Sequence, residues 1–92
     1  MVNALLIHTA DNVAVVTQAI QAGNTIRYSF PEGEACVTAV DDIPIYHKVA
    51  LRDIPVGGAV LKYGQPIGRA VKDIRIGEHV HCHNVESGEE KV

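Results

Sequence analysis

Three histidines near the C-terminal end of the sequence have a spacing that suits shared chemistry. His79, His81 and His83 alternate with Val80 and Cys82. On an extended strand the three imidazoles would point to one face, while Val80 and Cys82 would pack inward. Histidines two residues apart on a strand lie about 7 Å apart, and from there two imidazoles can converge on one metal ion. A solvated or hydrogen-bonded strand face explains the same pattern, so both interpretations stay open.

Neutral imidazole is a common ligand for zinc and divalent iron. Any two of these three histidines are therefore candidate ligands for a metal ion, and their spacing does not choose among them. The sequence places no obvious carboxylates beside them that would complete a mononuclear site. Another chain is expected to supply the remaining ligands.

A fourth histidine stands beside a lysine in the middle of the chain. His47 and Lys48 put a proton donor and acceptor next to a cation. Because adjacent strand residues face opposite ways, only one of the two is expected to enter a site, and a surface position for Lys48 fits equally well. His8, which follows the first apolar run, is better explained as a histidine at the edge of the core that bonds to the backbone.

A cation and a phenol precede a tight turn in the second half of the chain. Lys62 and Tyr63 are followed by Gly64 and Pro66, which set the backbone of a hairpin turn. Phosphate-binding loops and common hydrolase nucleophile motifs are absent from the sequence. So short a chain has difficulty enclosing a pocket of several hundred Å³, and catalysis by this chain alone is not expected.

The composition favours one small all-β domain. The chain has 92 residues, of which 47% are hydrophobic, but only one Phe and three Tyr are aromatic. The core must therefore consist of Val, Ile, Leu and Ala, a set that favours strands. One or two very short helical turns are expected at residues 17–22, before Gly23. The predicted domain spans residues 1–86, and a flexible polar tail spans residues 87–92.

Apolar runs separated by turn-forming residues predict the main strands. The first two runs are short and are separated by Thr9, Ala10 and Asp11, so they are expected to pair with each other. Later strands are expected before and after the turn-forming Pro31 to Gly33. Pro44 restricts its own segment to the edge or the end of a strand. The expected strands cover residues 4–7, 12–16, 25–30 and 34–40.

An internal repeat indicates how the second half is built. The segment ALRDIPVG at residues 50–57 recurs as AVKDIRIG at residues 70–77, and a fainter copy of the motif Ile-x-x-Gly-x-x-(Ile/Val) lies at residues 20–26. Asp53 and Asp73 are placed to cap a single turn, and the glycine permits a positive φ that redirects the chain into a strand. The repeated unit is therefore a turn followed by a strand in a compact β fold.

Charge and cysteine content limit the kinds of partner. The formal net charge is −3 and no cluster of Lys and Arg occurs, so nucleic acid is not an expected partner. Cys36 and Cys82 lack a CxxC pattern, which favours two reduced thiols and a cytoplasmic location. Neither a targeting signal nor a membrane span is expected, because the apolar residues 1–7 lack a basic flank and a small-residue cleavage site, and a span needs about 20 apolar residues.

Three ordered segments resemble a known family. Residues 43–54 (IPIYHKVALRDI), 61–68 (LKYGQPIG) and 77–84 (GEHVHCHN) are similar to the N-terminal SAF domain of altronate and galactarate dehydratases, and residues 11–15 after His8 fit the start of that domain. The resemblance covers nearly the whole chain. One departure is Tyr46, where the family usually has glycine before the His-Lys pair, and this departure leaves the substrate open.

The resemblance implies a compact β-clip fold and a role in a sugar-acid dehydratase. The chain would be the small subunit or N-terminal SAF module of this hydro-lyase, inactive alone. It would assist a large catalytic subunit that eliminates water from a hydroxy acid. Divalent iron or manganese, shared with the partner subunit, is the implied metal, and a homo-oligomer is compatible with this interpretation. The alternatives are a small subunit of an enzyme like sulfolactate sulfo-lyase and a non-catalytic module that binds carbohydrate acids.

Site residues follow from the matching motifs. The resemblance implies catalytic roles for three histidines, substrate binding by four further residues, and metal binding by two of the same histidines. The catalytic candidates are His47, His81 and His83, the substrate-binding candidates are Lys48, Lys62, Tyr63 and Asn84, and the metal candidates are His81 and His83.

Overall fold

Nine short strands make up the part of the chain that the computed structural model describes, residues 2–87. They form antiparallel sheets of order β1-β2-β5-β8, β3-β4 and β6-β7-β9. The all-β expectation is confirmed. The strands are β1 (Ala4–Leu5), β2 (Val13–Val16), β3 (Thr25–Phe30), β4 (Gly33–Thr38), β5 (Lys48–Ala50), β6 (Ala59–Lys62), β7 (Gln65–Ala70), β8 (His79–Val80) and β9 (Val85–Ser87).

The helical turns expected at residues 17–22 are wrong, since the described residues contain only strands, bridges, bends and turns. Ile20 makes an isolated antiparallel bridge with Ile43. Because the backbone N–H and C=O of Ile20 both bond to Ile43, these groups are not available for a helical turn. Within the described part of the chain, no helix is long and apolar enough to cross a membrane. Of the predicted tail, Ser87 ends β9 and residues 88–92 lie outside the described residues.

The two central strands of the four-stranded sheet, β2 and β5, are largely buried on both faces. Adjacent residues of β2 point to opposite sides, so Val13 packs in one apolar cluster and Ala14 in the other. The same holds in β5, where Val49 and Ala50 lie in different clusters. Full burial of an aliphatic side chain contributes about 1.5–3 kcal/mol. This sheet is therefore the shared wall of the two halves of the core.

The repeated segments bind each other reciprocally. The backbone N–H of Ile54 donates to the C=O of Ile74 at 2.7 Å, and the N–H of Ile74 donates to the C=O of Ile54 at 2.8 Å. Gly57 likewise donates to Ala70, and Gly77 donates to Ala50, each at 2.8 Å. The 20-residue repeat is thus a pair of turns related by an approximate twofold axis, which we call the C-terminal turn pair (residues 50–58 and 70–78).

The aspartates of the repeat cap the opposite turn. Asp53 accepts from the N–H of Ile76 at 2.8 Å, and Asp73 accepts from the N–H of Val56 at 2.9 Å. The expectation that each aspartate belongs to a single local turn is wrong. The physical reason is that the two hydrogen bonds between Ile54 and Ile74 place each aspartate beside the backbone of the other segment.

A second turn pair occupies the first half of the chain. The copy around Ile20 pairs with Ile43, and the N–H of Tyr46 donates to Val16 at 2.8 Å. Residues 43–47 are therefore a fourth copy, in which Tyr46 holds the position of the repeat glycine. Tyr46 has φ of 69°, close to the 92° of Gly23. This copy was not recognised in the sequence because it has tyrosine in place of the repeat glycine, although the backbone of Tyr46 keeps the glycine-like conformation.

The strand that carries the histidines is shorter than its alternating pattern suggested. β8 ends at Val80, and the N–H groups of Asn84 and Val85 both bond to the C=O of His81 at 3.1 Å. Val80 is buried as expected, whereas Cys82 is exposed, so the inward packing expected of Cys82 is wrong. The physical reason is that residues 81–84 form a turn, which removes the period-2 alternation beyond Val80.

The two glycines at equivalent places in the C-terminal turn pair offer a matched test. Both have positive φ, 85° at Gly57 and 90° at Gly77. A Cβ at position 57 meets no atom within 4 Å, whereas one at position 77 overlaps the C=O of Thr38. We expect Gly57→Ala to lower the free energy of unfolding by about 1 kcal/mol, and Gly77→Ala to lower it by about 2 kcal/mol more.

Urea unfolding of the two variants measures this difference. Equal losses for both variants would contradict the close contact between Gly77 and Thr38.

Candidate functional site

Three imidazoles come together where β5 pairs with β8. Nδ1 of His47 and Nε2 of His79 are 2.9 Å apart and share a hydrogen bond, in which the tautomers decide the donor. The ring of His81 stacks on His47, with centroids 4.3 Å apart. One possible ligand atom from each of these residues lies within 4.8 Å of the others. We call His47, His79 and His81 the imidazole group.

Strand register explains why residues far apart in sequence meet here. In the antiparallel pair of β5 and β8, Lys48 lies opposite Val80 and Val49 lies opposite His79. His47, directly before β5, is therefore beside the residues that follow Val80. The turn of residues 81–84 then brings His81 back onto the ring of His47.

Two polar side chains, those of Asp41 and Asn84, hold the backbone of this group. Asp41 accepts from the N–H of His79 at 3.0 Å. Asn84 is 3% exposed, and it accepts from the N–H of His81 at 3.0 Å while donating to the C=O of His79 at 2.8 Å. The amide of Asn84 thus positions two of the imidazoles through their backbone, and its predicted contact with substrate stays a prediction.

His83 lies next to the imidazole group and is exposed. Its ring centroid is 5.1 Å from that of His79, but it offers no ligand atom within the group. The structure therefore brings together His81, which was predicted as a ligand, with His47 and His79. His47 was predicted only as a catalytic residue, and His79 only as a member of the alternating pattern.

The environments of His79 and His81 favour the neutral form of each ring. Partial burial, followed by the nearby charges of His83, His47 and His81, lowers the pKa of His79 below its ordinary value, and Asp41 opposes this shift. Loss of solvent contact, followed by the charges of His47 and Lys48, also lowers the pKa of His81. Neutral imidazole is the form that accepts a proton or binds a metal ion.

An open cleft of about 480 Å³ adjoins the imidazole group. It contains two cations, a phenol and an imidazole in an otherwise mostly apolar lining. Burial, followed by the charge of Lys62, lowers the pKa of Lys48 from its ordinary value. The cleft suits a ligand that carries an anionic group beside a less polar part. The lining residues are Lys48, Lys62, Tyr63, Ile67, His81, Cys82 and Val85.

Both members of the central His-Lys pair reach the site. Strand alternation predicted that only one would do so, yet Lys48 lines the cleft and His47 stacks on His81. The reason is that β5 begins at Lys48, so His47 belongs to the preceding turn and does not follow the alternation of the strand.

A buried carboxyl group fixes the hairpin that carries Lys62 and Tyr63. Asp11 is 1% exposed. Its Oδ1 accepts from the N–H of Gly64 at 2.8 Å, and its Oδ2 accepts from the N–H groups of Tyr63 and His8 at 3.1 Å. Tyr63 and Gly64 have φ of 60° and 72°, as in a two-residue hairpin turn. The hairpin interpretation and the site interpretation of this segment are therefore compatible.

Sequence reasoning missed Asp11 and Asp41 as supports of the site. Asp11 was interpreted as a turn residue and Asp41 was given no role, and only the three-dimensional contacts reveal what they do. A polar pair directly before an apolar strand was the available signal for Asp11. His8 accepts from the N–H of Ala10 through Nδ1 at 3.0 Å, which agrees with the expected backbone-bonded histidine.

Comparison with known proteins identifies related chains. A family model described as the altronate/galactarate dehydratase SAF domain matches residues 2–88. An altronate dehydratase of Bacillus subtilis is 39% identical over 88 residues, which are 95% of this chain and 17% of that protein. A galactarate dehydratase (L-threo-forming) of Escherichia coli is 38% identical over 76 residues, 80% of this chain and 13% of that protein.

A third relative is matched over almost its whole length. The (2R)-sulfolactate sulfo-lyase subunit alpha of Chromohalobacter salexigens is 38% identical over 86 residues, 89% of this chain and 92% of that subunit. This chain therefore spans less than a fifth of the two dehydratases and nearly the whole of a lyase subunit.

The depressed pKa values predict a pH-dependent stability. A histidine whose folded pKa lies below its unfolded value contributes stability that is fully present above the unfolded pKa of about 6.5 and is lost as the pH falls. We expect the free energy of unfolding of the metal-free chain to decrease between pH 7.5 and 5.5. His79→Asn should flatten this dependence, and His8→Asn should preserve it. Urea unfolding at each pH tests this, and a slope unchanged by His79→Asn would contradict it.

The hydrogen bonds that Asp11 accepts predict an effect on the free energy of unfolding and on the local protection of Gly64. Asp11→Asn replaces one acceptor oxygen by an NH₂ group that faces backbone donors, so we expect a loss of about 2–3 kcal/mol in the free energy of unfolding. Asp42→Asn is the matched control, because Asp42 accepts a single exposed bond from Ala22 and should cost less than about 1 kcal/mol. Amide hydrogen exchange should quicken at Gly64 only in the Asp11 variant. Unchanged protection there would contradict the role of Asp11.

Proposed function

We propose, since this chain belongs to the altronate/galactarate dehydratase SAF-domain family, that it is the small subunit or N-terminal SAF module of a sugar-acid dehydratase. It acts with a larger catalytic subunit and is inactive alone. The observation that carries this proposal is the meeting of Lys48, Lys62, Tyr63 and His81 on one open cleft. The cleft needs a further wall to exclude water, and a large subunit would supply it.

The two lysines suit recognition of an acid. Lys48 is partly buried and Lys62 also lines the cleft, so an anionic substrate group would relieve the repulsion between their charges. Lys62 Nζ lies 5.0 Å from the centre of the Tyr63 ring, a cation–π distance that restrains the lysine. The proposed ligand is the carboxylate of a sugar acid, with its hydroxyl groups near Tyr63 and His81.

The reaction is the elimination of water across two neighbouring carbons. A base removes the proton on the carbon next to the carboxylate, the electron pair forms the C=C bond, and the hydroxyl group on the next carbon leaves as water after it receives a proton. We assign these proton transfers to whichever of His47, His81 and His83 does not hold a metal ion, because an imidazole nitrogen bound to an ion cannot accept a proton. In this proposal the exposed His83 exchanges protons between the imidazole group and solvent.

Divalent iron or manganese, shared with the large subunit, is part of the proposal. The donor set fits a metal ion, because the imidazole group holds three possible nitrogen ligands within 4.8 Å of one another. When bound, such an ion supplies Lewis-acid chemistry. The cytoplasm is the proposed location, which the free thiols of Cys36 and Cys82 support.

A second candidate is the small subunit of a lyase that acts on a sulfonated acid. The match with 92% of the length of a sulfo-lyase alpha subunit supports it. The same cleft would then hold a substrate with two anionic groups, a carboxylate and a sulfonate, and the two lysines would bind them. Sulfite would replace water as the leaving group.

Isolation of the native complex tests the proposed function. We expect this chain to co-purify from its host with a large subunit, and the complex to release water from at least one acid in a panel of sugar acids. Release of sulfite from a sulfonated acid in the same panel would select the second candidate. Binding of a sugar acid by the chain alone, with no co-purifying subunit and no turnover, would contradict both candidates and leave a binding module.

Variants in the reconstituted complex test the site. Lys48→Met and Lys62→Met should each lower kcat/KM about 10- to 100-fold, mainly through KM, because a charged hydrogen bond contributes about 1.5–3 kcal/mol. The combined His81→Ala and His83→Ala change should lower kcat at least about 100-fold. Lys72→Met is the control, since Lys72 is exposed and does not line the cleft. Full activity of the histidine variant would remove these residues from the mechanism.

A further inference from the structure

We infer that His47, His79 and His81 of this chain alone form a three-nitrogen binding site for one divalent metal ion of the iron, cobalt and zinc class. This inference departs from the interpretation that His81 and His83 contribute part of a shared set. It does not depend on the dehydratase role, since it concerns the affinity of the isolated chain for an ion.

The distances in the imidazole group lie near those that a metal ion requires. With metal–nitrogen distances of about 2.0–2.1 Å, two ligands in tetrahedral geometry are about 3.3 Å apart. The facing nitrogens of His47 and His79 are already 2.9 Å apart. The three possible ligand atoms lie within 4.8 Å of one another, so convergence on one ion requires rotation of side chains and no movement of strands.

The backbone beneath the group is fixed, which lowers the entropic cost of binding. His79 is hydrogen-bonded through its N–H to Asp41 and through its C=O to Asn84. The N–H of His81 bonds to the side chain of Asn84, and the N–H of His47 bonds to the C=O of Pro44 at 3.0 Å. A site whose ligands are positioned by further hydrogen bonds is the arrangement found around bound metals.

The ligand type decides which ion is preferred. Imidazole nitrogen suits zinc, iron, cobalt and nickel, whereas manganese prefers carboxylate, carbonyl and water oxygens. The group contains three histidines and no carboxylate, so manganese should bind weakly to this chain by itself. Three protein ligands also leave coordination positions open, and His81 lies at the border of the cleft that Lys48 lines.

The hydrogen bond between His47 and His79 carries one proton that competes with the ion. Binding through both of these nitrogens requires the ring that holds this proton to change tautomer. The proton leaves to solvent, the other nitrogen of the same ring gains one, and the imidazole stays a neutral ligand.

Titration of the full, metal-free chain with Zn²⁺ tests this inference without any variant. We expect one equivalent to bind at neutral pH and to shift the ring nitrogen signals of His47, His79 and His81 in NMR spectra. The ring signals of His83 and His8 should stay in place. Absence of binding, or shifts centred on His83, would overturn the inference.

Co²⁺ titration followed by visible absorption gives the ligand count. His47→Asn, His79→Asn and His81→Asn should each weaken Co²⁺ binding at least about tenfold, while His83→Asn leaves it within twofold of the original chain. Mn²⁺ should bind at least about tenfold more weakly than Co²⁺. Equal losses for His83→Asn and His79→Asn would overturn the assigned set. An active complex whose small subunit binds no ion alone would refute this site and leave the proposed function standing.

Discussion

The reciprocal backbone pairing of two glycine-containing turns is the constraint on which the site depends. Ile54 and Ile74 exchange both of their backbone hydrogen bonds, and each segment supplies the aspartate that caps the other. The pairing joins two segments separated by 20 residues. Because Gly77 donates to Ala50 at the end of β5, the same contact aligns β8 against β5. The register of the histidines is thus a consequence of the turn pair.

The cleft and the imidazole group both depend on this turn pair, but different side chains hold the backbone of each. Asp11 holds the hairpin of Lys62 and Tyr63, while Asp41 and Asn84 hold the backbone around His79 and His81. Buried polar groups of this kind are satisfied by hydrogen bonds, and their loss is costly. The exposed, charged and strained residues at this edge of the domain can therefore keep fixed positions. Hydrogen bonds hold the backbone of the segments that carry them.

Much of the fold was predictable because it is encoded locally. The third strand covers residues 25–30 as expected, since β-branched and aromatic residues stand between turn-forming ones. The repeat predicted the turns, because the motif needs glycine at one position, but it did not predict that the turns pair. It could not disclose that Asp53 and Asp73 cap each other's turn, since local pattern does not distinguish a cap within a turn from a cap across two. The fourth copy was not predicted, because the motif was defined by its glycine and this copy has Tyr46 there.

The sequence motifs selected several residues that lie close together, but they did not indicate how these residues meet. The matching motifs selected residues that the structure places in one region, including His47 and Lys62, which are distant in sequence from His81. The close contact between His47 and His79 depends on strand pairing across 32 residues, and no local rule gives that register. Alternation also suggested a longer strand after His79, where the bonds of Asn84 impose a turn.

The assembly of the imidazole group is tested most directly by measuring the proton–proton contacts between its rings in solution. With ring centroids 4.3 Å apart for His47 and His81 and 5.1 Å apart for His47 and His79, nuclear Overhauser effects should connect the ring of His47 to both of the others. A ring of His47 that shows contacts to neither would mean that the turn pairs do not assemble the site as described.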